Sequence, residues 1–130
     1  MLFRSAAGAG SVAMGAQSEV VSGAGAVAIG LQQIAAGSGA VAIGDPNIAT
    51  GTGAVAIGAE NVAIGDGAIA MGNMSHASGS SAIALGQQAI ANQTNAIAIG
   101  QSASADFANA TAIGAGAMAN AENKIGRAHV

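Results

Sequence analysis

Short apolar segments alternate with glycine-rich or polar turns along the whole chain, and they do so at a fixed spacing. The pattern (V/I/T)-A-(I/M/L)-G ends at Gly15, Gly30, Gly44, Gly58, Gly72, Gly86, Gly100 and Gly114. From Gly30 onward these glycines are fourteen positions apart, and one inserted residue lies between Gly15 and Val27. A second alanine-containing segment, such as Val62-Ala63-Ile64-Gly65, comes seven positions before these glycines. Each period therefore has two halves.

This period predicts an all-β fold. Apolar runs of about five residues, separated by Gly, Asn or Ser turns, are typical of strands, and glycine interrupts the chain too often for helices. Two strands and two turns in each period describe one coil of a narrow parallel β-roll, or solenoid. The roll is expected over residues 1–122. Residues 123–130 leave the repeat, because Lys124, Gly126 and Arg127 fall where Ala, Ala and Ile are expected.

Stacking the coils places two columns of small residues half a coil apart. The first is invariant: Ala13, Ala28, Ala42, Ala56, Ala70, Ala84, Ala98 and Ala112. The second deviates only at Val21: Ala6, Val21, Ala35, Ala49, Ala63, Ala77, Ala91, Ala105 and Ala119. We expect both columns to face the interior, where two closely spaced strands leave room for little more than a methyl group.

Strand side chains alternate, so the residues on either side of the first alanine column should point outward. They form a long ladder of branched aliphatic residues, larger than the apolar patch that a soluble monomer usually exposes. The ladder is therefore predicted to be an interface between chains. Its residues are Val27, Ile29, Val41, Ile43, Val55, Ile57, Ile69, Met71, Ile83, Leu85, Ile97, Ile99 and Ile113. A wider roll with Val and Ile inside would need no partner, but it does not explain why the alanines never vary in size.

The outward positions of the other half-coil are more polar. Ser22, Thr50, Ser78, Asn92 and Asp106 occupy one column, while Ile34, Ile48 and Ile90 form a partial apolar stripe in another. We expect this side of the roll to face mainly water.

Composition excludes several kinds of function. Only 2% of the residues are aromatic, which fits a thin core, and three Lys and Arg residues are too few to neutralise nucleic-acid phosphates. No apolar run is long enough to span a membrane. The chain has no Cys and therefore no disulfide or thiolate ligand. Asp45, Glu60 and Asp66 fall in different columns, whereas a calcium-binding solenoid would repeat its Asp in every coil.

No catalytic residue and no cofactor is expected. His76 takes a place in the column of Val20, Ile34, Ile48, Val62 and Ile90 with no nucleophile or carboxylate assigned beside it, and His129 lies in the tail. Hexapeptide acyltransferases have coils with three faces, which are longer than the two-strand coils expected here. Ice-binding solenoids show regular Thr ladders, but the few Thr residues here are scattered over several columns.

The repeat x-A-V-A-I-G-x-x-x-x-A-x-G, from about Ser5 to Asn120, resembles the heads of trimeric autotransporter adhesins of Gram-negative bacteria, the YadA-like heads. The resemblance implies a left-handed roll and three chains packed in parallel, although composition alone would permit a dimer. It also implies a bacterial cell-surface location, with outer-membrane anchoring through regions absent from this segment. The implied function is attachment to host cells or to extracellular-matrix proteins, with collagen-like or fibrillar glycoproteins as candidate ligands. A structural spacer that displays a distal binding domain is the alternative.

Overall fold

The computed structural model describes residues 5–127, which form sixteen strands and no helix. The strands are β1 (Ser5–Ala6), β2 (Val12–Met14), β3 (Glu19–Ser22), β4 (Val27–Gly30), β5 (Ile34–Ala36), β6 (Val41–Thr50), β7 (Val55–Ile64), β8 (Ile69–Asn73), β9 (His76–Ala77), β10 (Ile83–Leu85), β11 (Ile90–Ala91), β12 (Ile97–Ile99), β13 (Ser104–Ala105), β14 (Thr111–Ile113), β15 (Met118–Ala119) and β16 (Ile125–Arg127).

Every strand pairs in parallel with a strand of a neighbouring coil. In the centre of the roll, Val41 pairs with Val55 and Ala49 with Ala63, so each residue lies beside the one fourteen positions later. The same shift relates β10 to β12 and β12 to β14. The prediction of an all-β parallel solenoid with coils of this length is therefore confirmed. Strand spacing of about 4.8 Å per coil makes the stack of nine coils about 40 Å long.

The interior of the roll consists almost entirely of alanine methyl groups. Both predicted columns are buried from Ala28 and Ala35 onward, and within the described residues Val20 is the one apolar core residue that is not alanine. A further interior column was missed in the sequence: Ala26, Ala40, Ala54, Ala68, Ala82, Ala96 and Ala110. These residues lie two positions before the alanines of the invariant column, so strand alternation turns them inward as well. The wider roll with Val and Ile inside is thus wrong.

A fourth interior column carries polar side chains in the first half of the roll. Gln33, Asn47, Asn61 and Ser75 are stacked and buried, and in the later coils alanine takes this place. Asn61 donates from Nδ2 to Asn47 Oδ1 at 2.9 Å and to the Gly72 carbonyl at 2.8 Å. Its own Oδ1 accepts from the Ser75 backbone N–H at 2.9 Å. Because each amide is bonded to the next coil, the ladder offsets the cost of burying polar groups.

Two tight corners connect the strands of each coil, and left-handed backbone conformations recur at both of them. At one corner, Gly39, Gly53 and Gly67 have φ near +68°. In the later coils, Asn95 and Asn109 take the same place with φ of 58°. Asn tolerates this conformation better than other side chains, so the replacement of Gly by Asn preserves the turn.

The inserted residue is not at the position that the alanine columns of the sequence indicate. Val20, not Val21, pairs with Ala6 on one side and Ala35 on the other, and it is fully buried. The register shifts between Val20 and Ser22, so Val21 is a β-bulge with an exposed side chain. The assignment of Val21 to the interior was wrong, because Val20 and Val21 are both valine and residue identity alone cannot locate the bulge. Glu19 accordingly stands in the column of Ile34, where Val20 was expected.

Stacking continues beyond the point at which the sequence pattern ends. Strand β16 pairs with β14, and Gly126 lies opposite Ala112. Lys124 takes part through its backbone, since its carbonyl accepts from the Thr111 N–H at 2.8 Å. The last coil therefore stacks through its backbone even though its side chains depart from the repeat.

Candidate functional site

The first outward surface, here called the aliphatic face, is formed by the two columns on either side of the invariant alanines. Its central members Val41, Ile43, Val55 and Ile57 are half-buried by their neighbours within the ladder, and towards the C-terminus Ile99 and Ile113 are 37% and 50% exposed. All predicted interface residues thus point away from the interior. In the single chain nothing covers them, and the trimer contact remains a prediction.

The second outward surface, here called the mixed face, lies on the other strand of each coil. One column contains Ile34, Ile48, Val62, His76 and Ile90 in direct register. The adjoining column contains exposed Thr50, Ile64, Ser78, Asn92 and Asp106. Asn92 donates to Asp106 at 2.9 Å across one coil step, so part of this face is an ordered polar ladder.

A shallow groove of about 240 Å³ runs along the mixed face in the third to fifth coils. One wall is the aliphatic stripe of Ile34, Ile48 and Val62. The other wall is a ridge of corner residues, Gln32, Pro46 and Glu60. The buried amides of Asn47 and Asn61 form its floor.

Charge is distributed with one sign along the roll. Six carboxylates lie between Ser5 and Asn123, namely Glu19, Asp45, Glu60, Asp66, Asp106 and Glu122. No Lys or Arg is present in that stretch, since Arg4, Lys124 and Arg127 lie at its ends. Glu60 and Asp45 are exposed at the same type of corner, and Glu60 belongs to the groove ridge. Every formal charge between Ser5 and Asn123 is therefore negative, although the coils between Asp66 and Asp106 carry none.

The arrangement offers no assembled catalytic constellation within residues 5–127. Exposed His76 is paired with Val62 and Ile90 in the strand ladder, and His129 lies outside the described residues. In the same part of the chain no group of three or more His, Asp or Glu could hold a metal ion. Nor do these residues contain a helix long and apolar enough to cross a membrane.

Comparison with known proteins agrees with this geometry. The sequence pattern described as the YadA head domain repeat matches residues 35–61, 63–89, 77–103 and 91–117, more than half of the chain. The chain belongs to the YadA head family. It is thus an adhesin head domain built of autotransporter-type head repeats, and this family is not an enzyme family.

Among solved structures, the chain is similar to the collagen-binding domain of the Yersinia adhesin YadA. The two are 27% identical, the TM-score is 0.59, and the match covers 99% of this chain and 72% of that domain. Comparison with curated proteins gives no match. The similarity extends over the whole roll, including the first coils that the head-repeat pattern does not match.

Two features escaped the sequence analysis. The groove depends on Pro46 and Glu60 standing beside the Ile34, Ile48 and Val62 stripe, which becomes visible only when corner residues are also arranged in columns. The polar interior ladder could have been found from the sequence, because its asparagines lie two positions before interior alanines. Because these residues are polar, they were not recognised as pointing into the interior.

Proposed function

We propose that this chain is the head segment of a bacterial surface adhesin that attaches the cell to host extracellular matrix or host cells. The match over almost the entire chain with the collagen-binding domain of the Yersinia adhesin YadA carries this proposal. Collagen-like and fibrillar glycoproteins are the proposed ligand class. Anchoring in the outer membrane would be provided by regions outside this segment.

The proposed assembly is a parallel homotrimer of left-handed rolls joined through the aliphatic face. An apolar ladder along eight coils supports this, because an exposed patch of such length would otherwise remain in water. Closed symmetry lets three identical ladders meet around one axis and leaves no uncovered copy. The mixed faces of the three chains then point outward.

In this arrangement adhesion works by avidity. A rigid rod presents similar outward columns at every coil, three chains multiply them, and many copies act on one cell. Each contact with the matrix is weak, and linking many of them gives a stable attachment without any single high-affinity site.

Solid-phase binding of the purified segment to collagens, fibronectin and laminin tests the proposal, with a coiled-coil stalk segment of the same protein class as the control. We expect concentration-dependent binding to at least one matrix protein and none by the stalk. A folded segment that binds no member of the panel would refute adhesion and leave the role of a spacer for a distal binding domain.

A further inference from the structure

The groove on the mixed face has the form of a binding site for an extended chain. It follows the rod axis across three coils, from Gln32 and Ile34 to Glu60 and Val62. Ile34 and Ile48 are each 36% exposed although each stands in a continuous strand ladder. A ligand lying lengthwise would cover these side chains together.

The backbone around the groove forms longer strands than elsewhere in the roll. Strands β6 and β7 run without interruption through the corner, each over ten residues, whereas neighbouring coils have strands of two to five residues. Beneath the corner, Asn47 donates to Gln33 at 2.9 Å and to the Gly58 carbonyl at 2.9 Å. A prearranged groove costs a ligand less ordering entropy.

The spacing of the coils matches one particular peptide conformation. Two coil steps measure about 9.6 Å. A polyproline II helix has three residues per turn and rises about 3.1 Å per residue, or about 9.3 Å per turn. A polyproline II chain lying along the rod would therefore present the same face to Ile34 and to Val62, one turn apart. Its proline rings would pack against the aliphatic wall.

The negative charge beside the groove favours polyproline II ligands that carry a basic side chain. Glu60 is exposed on the groove ridge, and the nearest Lys or Arg in the sequence is more than fifty positions away. With no internal cation to compete, the carboxylate is free to pair with a basic side chain of a ligand. Arg suits this role because its planar guanidinium can bind a carboxylate through two hydrogen bonds.

We propose that this groove binds a polyproline II segment of a collagen-like partner, with an Arg of that segment paired to Glu60. The assignment rests on the proposed matrix adhesion and adds its place and its ligand chemistry. Each of the three rolls would contribute this groove to the head.

Binding to two immobilised triple-helical peptides tests the assignment. One consists of Gly-Pro-Hyp triplets, and the other carries central Gly-Pro-Arg triplets. We expect the natural segment to prefer the Arg-containing peptide and to lose that preference at high salt. Ile48→Ser should weaken binding about tenfold through lost apolar contact. Glu60→Lys should abolish the preference for the Arg-containing peptide.

Matched controls lie on the same roll. Ile90→Ser changes the same column outside the groove, and Glu122→Lys makes the same charge change near the end of the roll; both should bind as the natural segment does. Circular dichroism and light scattering verify that every variant keeps its fold and mass. If Ile48→Ser and Glu60→Lys also bind normally, the groove is not the site, although matrix adhesion stands.

The two proposals fail in different ways. A segment that binds other matrix proteins but neither peptide overturns the groove assignment and leaves adhesion intact. A segment that binds neither the peptides nor any protein of the matrix panel overturns both.

Discussion

At the scale of single residues, two kinds of glycine have different roles in the roll. A Cβ added at Gly58, where φ is +123°, would collide with the carbonyl oxygen of Gly72 in the next coil. Gly53 has φ of +68°, yet an added Cβ would meet no atom within 4 Å. The first kind is required by the close approach of successive coils, and the second only by backbone conformation.

This difference predicts unequal effects of the same substitution. Gly53→Ala should lower the free energy of unfolding by about 1 to 2 kcal/mol, the cost of a left-handed non-glycine residue. Gly58→Ala carries the same kind of backbone strain together with a backbone clash that only a shift of the neighbouring coil can relieve. We therefore expect a much larger loss, measured as the urea midpoint by circular dichroism. Equal midpoints for the two variants would contradict the stacking role of Gly58.

The buried amides act at the same scale. Asn47 and Asn61 each bond to both neighbouring coils, and every buried side-chain nitrogen or oxygen in residues 5–127 has a partner. Interior alanines differ little from one coil to the next and cannot by themselves distinguish a correct pairing from one shifted by a whole coil. Directional amide bonds supply that distinction in the first half of the roll.

At the scale of strands and coils, the bulge at Val21 interrupts the regular period of the repeat. The extra residue leaves the ladder, and Val20 and Ser22 on either side of it keep their partners in β5. A bulge absorbs the insertion locally, so the strands that follow retain the register that keeps alanine inside.

Deleting Val21 should therefore be tolerated. The deletion restores the regular period and should leave the thermal midpoint unchanged or raised. Deleting Ile64 in strand β7 removes one residue from a regular coil and would turn the following interior alanines outward, so it should unfold the protein or severely destabilise it. Thermal denaturation followed by circular dichroism compares the two. If the Val21 deletion is as harmful as the Ile64 deletion, the bulge has a structural role of its own.

The repeat is the reason that so much of this fold could be predicted from the sequence. Eight copies of the same pattern identify the interior alanines and the outward aliphatic residues, because each column averages over local variation. Whether Val20 or Val21 is the bulged residue could not be deduced from the sequence, since either assignment places a valine in the interior. The groove was missed because it depends on Pro46 and Glu60, single residues at corners where the pattern does not repeat.

At the scale of the whole molecule, the aliphatic face determines the expected assembly. Burying a Val or Ile fully is worth about 1.5 to 3 kcal/mol, so covering a ladder of such residues offers far more stability than the alanine interior alone. A narrow roll with methyl groups inside is thus expected to depend on its partners for stability.

The trimer can be tested by placing charge on this face. Light scattering of the natural segment should report about three times the chain mass of 12.0 kDa. Replacing Ile57 and Ile99 by Asp should bring carboxylates together around the axis, which costs several kcal/mol when charges are buried unpaired. We expect dissociation and unfolding to occur together.

Ser78→Asp, at an exposed position of the same mixed-face column, is the control and should change neither mass nor stability appreciably. A folded double variant of unchanged mass would show that the aliphatic face does not line the interface.

The parallel stacking of equal coils also affects how the length of such a rod can change during evolution. Because every coil pairs only with the one before and the one after, an in-frame duplication of one repeat unit would lengthen the rod by about 4.8 Å and disturb no existing pairing. Loss of a unit would shorten it by the same step. The length of the rod can thus change in steps of one coil, without any need to redesign an interior.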